Sequence, residues 1–407
     1  MDSKDTFHSF SIRWDNSIEN IIESDWRSIF GSSNIKSYRF FQATEYSNFN
    51  DVEYYYLSLF YKVKNIAIIP CFTYYLDLID LLTGKMTKSI INKLRRVFSD
   101  FGKYKLLVIG SYPATCEHFI GIDSSLDSEI ITEASTLINK ELESKRKELA
   151  CSLIMVKDVR TKHLGFISNI LSRHFYFFSS FPTTFFPLLP TFPYPSALNK
   201  RKQKRRYLKY SKLFDEFYCW EKVTDFKEYT PLFYELYQKV LSKAKNKFEV
   251  LNENFFLNLN TYFPDETFLL IARDRSHKVK LIQVLMKERD RLLPLYLGTD
   301  KEMDDEKSLV LYLNAIFKPI KYAESIGGLD LVEFGQTSYY PKVLSGALVE
   351  DLSYGFYSHN RLMELIIKYF FKYIFIPEKI PAHAYSNERI DAIKKFIEEK
   401  GMVAINI

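Results

Sequence analysis

The sequence is poor in glycine, and it lacks the short motifs that mark several large enzyme classes. Its 407 residues include 13 glycines, and no GxGxxG or GxxxxGKS/T run occurs, so dinucleotide-binding and P-loop functions are not expected. The 7 histidines lie in no HxxxD, HExxH or nucleophile-elbow context. These absences argue against a condensation-type acyltransferase and against a metalloenzyme, and no metal site is predicted.

Cysteine is also scarce, and a secretion signal is not apparent. Cys71, Cys116, Cys151 and Cys219 are far apart and form no CxxC or Cys/His metal spacing, which predicts buried thiols in a reducing compartment. The first residues, MDSKDTFHSF, carry acidic groups where a signal peptide needs basic ones followed by an apolar run. A cytoplasmic location is therefore the expectation.

One uncharged segment is long enough to cross a bilayer, but its prolines argue against a membrane-spanning helix. It follows His174 and reads FYFFSSFPTTFFPLLPTFPYPSALN, with prolines at positions 182, 187, 190, 193 and 195. Prolines at that density would break a helix repeatedly. We expect a strand at 174–178, then an extended connection between two domains, and no transmembrane segment.

The remaining composition is that of an ordinary globular protein. Hydrophobic residues make up 47% of the chain and charged residues 26%, and its length predicts two or three domains. The first half reads as strands at 54–61 and 65–72, a helix at 88–98, a strand ending in GSY at 110–112, a helix at 128–148 and the strand CSLIMVKDV. The second half reads as a basic helix, helices at 229–244 and 253–262, three strands joined by turns, a helix at 305–325 and a strand.

The segment 292–348 is the most informative. It reads LLPLYLGTD, then an amphipathic helix, then GLDLVEFGQTSYYPKVLSGAL. The pattern predicts a strand, a crossover helix and a second strand that carries polar groups to the edge of the sheet, where open α/β sheets bind ligands.

This segment, together with the basic run LNKRKQKRRYLKY upstream, resembles the acyltransferase domain of the GNAT superfamily in its FemAB-like, BioF2-like branch. The resemblance implies an α/β (α+β) fold of two tandem GNAT-like domains, each a mixed sheet flanked by helices. The implied division is an N-terminal domain at 1–190, the acyltransferase domain at 196–360 and a C-terminal helical extension at 361–407.

The resemblance implies transfer of an acyl group from acyl-CoA, as co-substrate, to a small-molecule amine or peptide acceptor. Two splayed parallel strands would expose backbone groups to the pantetheine arm, and a helix N-terminus would offer amide donors to the pyrophosphate. The residues expected to bind the donor are Leu295, Tyr296, Leu297, Ser308, Arg205 and Arg206.

Catalysis would need a general base near the acceptor amine. Glu333 is the first candidate, because it lies at the end of an apolar strand where burial would raise a carboxyl pKa. Tyr339 is expected to protonate the leaving thiolate or to orient the acceptor, as is Tyr340. The residues expected to bind the acceptor are Gly335, Gln336, Thr337 and Lys342.

Two features keep other donors open. The sequence DKEMDDEKS replaces the glycine-rich loop of most superfamily members, and its acidic residues Asp300, Asp304, Asp305 and Glu306 either repel a phosphate or simply suit a helix start. Residues 200–212 include 8 basic side chains, which suit a coenzyme A phosphate, a tRNA acceptor stem, an anionic lipid or a solvated helix face. A tRNA or an acyl-carrier protein thus remains a possible donor partner.

Two alternatives follow from the same residues. The first is a Fem-type transferase that moves an aminoacyl group from tRNA to a peptide or cell-wall precursor. The second is a catalytically silent GNAT-like module in envelope polysaccharide assembly.

Overall fold

The structure is a computed structural model that describes residues 10–77, 79, 89, 91–93, 95–96, 102–113, 115–196, 198, 201–243, 249–300, 305–336, 338–371 and 380–407. The chain forms two compact units. Unit 1 draws on residues 1–159, 163–178 and 354–374, and unit 2 on residues 160–162, 179–353 and 375–407.

Unit 1 is built on a mixed sheet with the strand order β1-β2-β3-β4-β6-β15-β7, and β5 pairs with β3. Its strands are β1 (Phe10–Asp15), β2 (Tyr54–Tyr61), β3 (Lys64–Asp77), β4 (Lys103–Ile109), β5 (Gly121–Ile122), β6 (Leu153–Arg160), β7 (Tyr176–Ser179) and β15 (Leu352–Tyr357). The helices that accompany it are α1 (Glu23–Phe30), α2 (Tyr38–Glu45), α3 (Ser128–Glu148), α4 (Thr161–Ile170) and α10 (Arg361–Phe370).

The sequence of unit 1 explains this arrangement. The continuous apolar runs of β3 and β6 suit central strands covered on both faces, and both strands are buried along most of their length. α3 buries Ala134, Ile138 and Leu142, which recur at helical spacing, in the core that these strands form.

Unit 2 is built on a second mixed sheet with the order β14-β8-β13-β12-β11-β10-β9. Its strands are β8 (Thr183–Pro187), β9 (Tyr218–Val223), β10 (Thr267–Asp274), β11 (Val279–Glu288), β12 (Arg291–Thr299), β13 (Leu331–Gln336) and β14 (Leu348–Glu350). Its helices are α5 (Arg201–Phe217), α6 (Thr230–Lys243), α7 (Glu253–Tyr262), α8 (Asp305–Ile326), α9 (Tyr339–Leu344) and α11 (Asn387–Glu399).

The predicted fold class is confirmed, since both units are mixed sheets flanked by helices. The helices predicted at 128–148, 229–244, 253–262 and 305–325 correspond to α3, α6, α7 and α8. Of the helix predicted at 88–98, residues 89, 91–93 and 95 are described and are helical, and residues 88, 90, 94, 97 and 98 lie outside the described part of the chain. The domain boundaries at 190 and 360 stay a prediction, because the compact units are interleaved along the chain.

Three strands of unit 2, namely β8, β9 and β14, were not predicted. β9 was missed because YCWEKV follows the basic helix directly, with no glycine, proline or turn residue to mark where the helix ends. β8 lies in the proline-rich segment that was expected to be an extended connection. Pro182 precedes the strand and Pro187 is its last residue, so the N–H groups needed for pairing remain between them.

Three of the cysteines are buried as predicted, namely Cys71, Cys116 and Cys151. The prediction was wrong for Cys219, which is exposed on β9 at the edge of its sheet. In the described part of the chain, none of the helices combines the length and the apolar character needed to cross a bilayer.

Candidate functional site

The parallel strands β12 and β13 separate almost as soon as they meet. Among the described residues they pair at Arg291 with Leu331 and at Leu292 with Val332, while β12 continues to Thr299 and β13 to Gln336. Beyond those pairs, one side of each strand directs its peptide groups into the gap between them. Unit 2 therefore contains the splayed pair of parallel strands that the sequence resemblance implied.

The corresponding parallel strands of unit 1 behave differently. β4 and β6 pair continuously from Leu106 with Leu153 to Ile109 with Val156, which is the end of β4. The Lys157 side chain then covers Gly110, where an added Cβ would lie 2.9 Å from Lys157 Cγ, and its Nζ donates to the Ser111 carbonyl at 3.0 Å. The equivalent edge of unit 1 is thus closed by pairing and by a buried lysine.

β12 has an irregular backbone where the donor-binding residues were predicted. Tyr296 pairs with Val284 and Pro294 with Leu285, so Leu295 is an extra residue that forms a β-bulge. Leu295, Tyr296 and Leu297 are all half-buried. Pro294 has no N–H group, and the bulge turns the following peptides relative to the ladder, so this part of β12 suits contact with a ligand backbone.

Tight packing holds the end of β12 in place. The Tyr296 ring contacts the rings of Tyr237, Phe255 and Phe256, with centroid distances of 6.4, 5.9 and 5.5 Å. A Cβ on Gly298 would lie 2.9 Å from the Tyr237 backbone nitrogen, so only glycine allows α6 to approach this closely.

Glu333, the predicted base, lies at the point where the two strands begin to separate. Its Oε1 accepts from Arg160 Nη2 at 2.7 Å and from Thr183 Oγ1 at 2.9 Å, and its Oε2 accepts from Arg291 Nη1 at 2.6 Å. The carboxylate is buried, and both oxygens take part in charge-assisted hydrogen bonds. This geometry is that of an ion-pair network whose orientation is fixed.

A second carboxylate, Glu350, belongs to the same network. Glu350 pairs across the sheet with Thr183, and its Oε2 accepts from Arg160 Nη1. Burial raises the pKa of the Glu350 carboxyl above its usual value; Arg160 lowers this pKa and Glu333 raises it. Its Oε1 is buried without a hydrogen-bond partner among the described residues. Sequence reasoning missed Arg160, Arg291 and Glu350.

Lys342 binds the end of β13 from within the protein. Its buried Nζ donates to the carbonyls of Phe334, Gly335 and Gln336 at 2.9, 3.3 and 3.1 Å. Gly335 has a φ of +65°, a conformation that glycine adopts without strain. The lysine predicted to meet the acceptor therefore contacts the backbone that lines the gap.

Of the remaining residues predicted to bind the acceptor or to act in catalysis, Gln336, Tyr339 and Tyr340 are described. Gln336 ends β13 and is half-buried, whereas Thr337 lies outside the described residues. Tyr339 is buried at the start of α9, and its neighbour Tyr340 is exposed. β13 and the helix that follows it, α9, thus carry Glu333, Gly335, Gln336, Tyr339 and Lys342.

Two of the acidic residues around the start of α8 form ion pairs. Asp300 is buried and forms an ion pair with Lys280 at 2.9 Å, and Glu306 lies 3.6 Å from Lys209 on α5. Residues 301–304 lie outside the described part of the chain. Ser308 is half-buried near the N-terminus of α8.

The basic run predicted to be a helix forms α5, which packs one face against the core of unit 2. Tyr207 contacts the Tyr194 and Phe317 rings at 5.0 Å each, and Phe214 stacks on Trp220 at 4.8 Å. Arg206 is half-buried. The exposed side carries Lys202, Lys204, Arg205, Lys209 and Lys212.

The sequence matches no family model and none of the curated proteins. Solved structures resemble it. FemX superposes with a TM-score of 0.51 at 11% identity, over 86% of this chain and 99% of that chain. L-PGS from Bacillus licheniformis gives 0.48 at 9% identity, over 85% and 94%. A probable N-acyltransferase from Enterococcus faecalis gives 0.42 at 10% identity, over 88% and 75%.

At such low identity the likeness to FemX shows the fold alone. FemX is matched along nearly its whole length, and the match includes both units of this chain. The fold implied by the sequence resemblance, two tandem GNAT-like domains with mixed sheets flanked by helices, is therefore supported.

Proposed function

We propose that this protein is an N-acyltransferase whose unit 2 moves an acyl group from acyl-CoA, or a related thioester, to an amine acceptor. The observation that carries the proposal is the early separation of β12 from β13, with a bulge at Leu295. Backbone groups along that gap would hold the pantetheine arm, and the first turn of α8 near Ser308 would receive the pyrophosphate. Arg205 and Arg206 on α5 would contact further phosphates.

The proposed reaction is direct attack. The acceptor nitrogen attacks the thioester carbonyl carbon, the C–S bond breaks, and the thiolate takes a proton for which Tyr339 is the proposed donor. Glu333 is the proposed acceptor of the amine proton, held at the point of strand separation by Arg160 and Arg291. Lys342 would act by holding the carbonyls of Gly335 and Gln336 in place, so that the acceptor meets a fixed edge.

Isothermal titration with acetyl-CoA and with a long-chain acyl-CoA tests the donor. We expect micromolar binding of one of them, and Ser308→Glu should weaken it about tenfold or more, because a carboxylate would repel the pyrophosphate. The same change leaves the helix intact, since acidic residues are favourable in a first turn. Ser128→Glu, at the start of α3, is the matched control and should leave binding unchanged.

An absence of binding to either thioester would contradict the proposed donor. The Fem-type alternative would then gain, because among its described side chains α5 exposes five basic ones that suit an RNA backbone. In that case the purified protein would carry a 260 nm absorbance that high salt removes. Lys204→Glu with Arg205→Glu would lower it.

The silent-module alternative rests on a different observation, namely that both oxygens of Glu333 are engaged by arginines. It predicts that Glu333→Gln leaves cellular function intact. Loss of function in a Glu333→Gln protein that melts like the wild type would contradict it.

A further inference from the structure

α10, in unit 1, presents a row of large apolar side chains to solvent. Leu362, Leu365 and Tyr369 are 69%, 52% and 51% exposed, and their spacing places them on one side of the helix. On the opposite side Ile367 is fully buried. We call Leu362, Leu365 and Tyr369 the α10 ridge.

Contacts on the inner side fix the orientation of the helix. The Asn360 side chain caps the N-terminus by accepting from the Leu362 and Met363 backbone nitrogens at 2.9 and 3.1 Å. Directly after the helix, the Phe371 ring packs against Phe356 at 5.0 Å and Phe178 at 6.5 Å. The ridge therefore faces outward because Ile367 and Phe371 are buried on the other side of the segment.

Among the described residues of α10, the charged side chains that are exposed are cationic. Arg361 and Lys368 are the exposed charged residues of α10. Its acidic residue, Glu364, is half-buried and accepts from Tyr176 Oη at 2.9 Å, with His174 Nδ1 at 3.2 Å. Arg173, next to that histidine, is exposed as well. An apolar row bordered by cations complements a surface that is apolar inside and anionic outside.

We infer that α10 docks unit 1 on the surface of an anionic phospholipid membrane, lying parallel to it. Leu362 and Leu365 would enter the boundary between headgroups and acyl chains, and Tyr369 would sit at the headgroup level with its hydroxyl in water. Arg361 and Lys368 would contact lipid phosphates.

The same charges disfavour a second copy of this chain as the occupant. A two-fold contact through the ridge would place Arg361 and Lys368 of each copy near those of the other, with Glu364 already engaged on the inner side. Like charges facing each other in a partly desolvated interface oppose association.

Vesicle co-sedimentation of the full chain tests the inference. We expect binding to vesicles of phosphatidylglycerol and phosphatidylcholine in equal amounts, weaker binding to phosphatidylcholine alone, and a loss of binding as salt is raised. Leu362→Glu with Leu365→Glu should lower binding about tenfold or more, because carboxylates would enter the apolar layer. Val63→Glu, at a position that is 96% exposed in the same unit, is the matched control and should bind like the wild type.

A second variant pair separates charge from apolar insertion. Arg361→Gln with Lys368→Gln should lower binding to the anionic vesicles severalfold and remove most of the salt dependence. The inference is overturned if the wild-type protein does not bind the anionic vesicles, or if the ridge variant binds as well as Val63→Glu. It is also overturned if sedimentation without lipid shows a dimer that Leu365→Glu abolishes, because the ridge would then be a protein contact. None of these results depends on thioester binding by unit 2.

Discussion

Arg160 is the residue on which the buried charges of unit 2 depend. Its guanidinium bonds to both Glu333 and Glu350, and the side chains of all three residues are almost fully buried. Two carboxylates at such close range repel each other strongly unless a cation lies between them. Arg160, at the end of β6, is therefore essential to the charge balance of the candidate site, although the sequence analysis did not single it out.

Removing that cation should be costly. Arg160→Met is expected to lower the free energy of unfolding by about 3–5 kcal/mol, because it leaves a buried carboxylate pair without its shared partner. Urea denaturation measures the difference. Arg27→Met, which breaks the exposed pair with Glu23, is the control and should cost about 0.5 kcal/mol or less. An Arg160→Met cost no larger than this would show that the network contributes little.

Glu350 should make stability fall as the pH rises. Burial raises the pKa of Glu350 in the folded state above its value in the unfolded chain, so the folded protein holds the proton more tightly. Its contribution is fully present below the ordinary glutamate pKa of about 4.3 and is lost as the pH rises through the raised value.

Glu350→Gln removes this titration and provides the test. The free energy of unfolding of Glu350→Gln relative to wild type should increase between about pH 4 and pH 7, as measured by urea denaturation. Glu235→Gln, on an exposed side chain of α6, should stay within about 0.5 kcal/mol of wild type at each pH. A Glu350→Gln difference that is constant or falls with pH would contradict the raised pKa.

The contact between α6 and β12 depends on the absence of a side chain. A Cβ on Gly298 would lie 2.9 Å from Leu236 Cβ and 3.1 Å from the Phe233 carbonyl oxygen, and these atoms belong to the body of α6. The helix would have to move away from the strand that carries Leu295, Tyr296 and Leu297. The packing of one helix thus sets the shape of the gap edge.

Gly298→Ala should therefore destabilise the protein by about 1–3 kcal/mol, since backbone must shift to admit the methyl group. Gly165→Ala is the matched control, because Gly165 lies inside α4 with nothing within 4 Å of an added Cβ. There alanine should stabilise by about 0.5–1 kcal/mol through helix propensity. Thermal unfolding of both variants measures this, and equal effects of the same sign would refute the close contact.

The two units are interleaved along the chain, and this has a consequence for folding. In the sheet of unit 1, β15 lies between β6 and β7, although β15 comes much later in the sequence than either of them. A chain cut at residue 190 keeps β6 and β7 but lacks the strand between them. The paired N–H and C=O groups of β6 would lose their partners on that side.

We expect a fragment of residues 1–190 to lack cooperative unfolding. Near-UV circular dichroism and urea denaturation measure this, and a chain with residues 351–371 appended through a flexible linker should recover cooperativity because it restores β15. Cooperative unfolding of the short fragment would instead support a domain boundary near residue 190.

Elements whose signals lie among neighbouring residues could be read from the sequence. α7 begins after Asn252, whose side chain caps it, and α3 shows apolar residues at helical spacing, so both were predicted at their observed bounds. Glu333, Gly335, Tyr339 and Lys342 share one segment, which allowed them to be proposed together. Whether Lys342 faces a ligand or its own backbone carbonyls depends on a turn that its residue types do not specify.

Contacts between distant residues were available only from the folded chain. Arg160 lies 173 positions from Glu333 and 190 from Glu350, and nothing in its local sequence records either partner. β8 pairs with β13 and β14, although the prolines around it had predicted an extended connection. Helix capping, hydrophobic periodicity and turn chemistry depend on residues close together in the sequence, so they can be recognised there. Long-range ion pairs and the order of strands in a sheet depend on which packing of the whole chain has the lowest free energy.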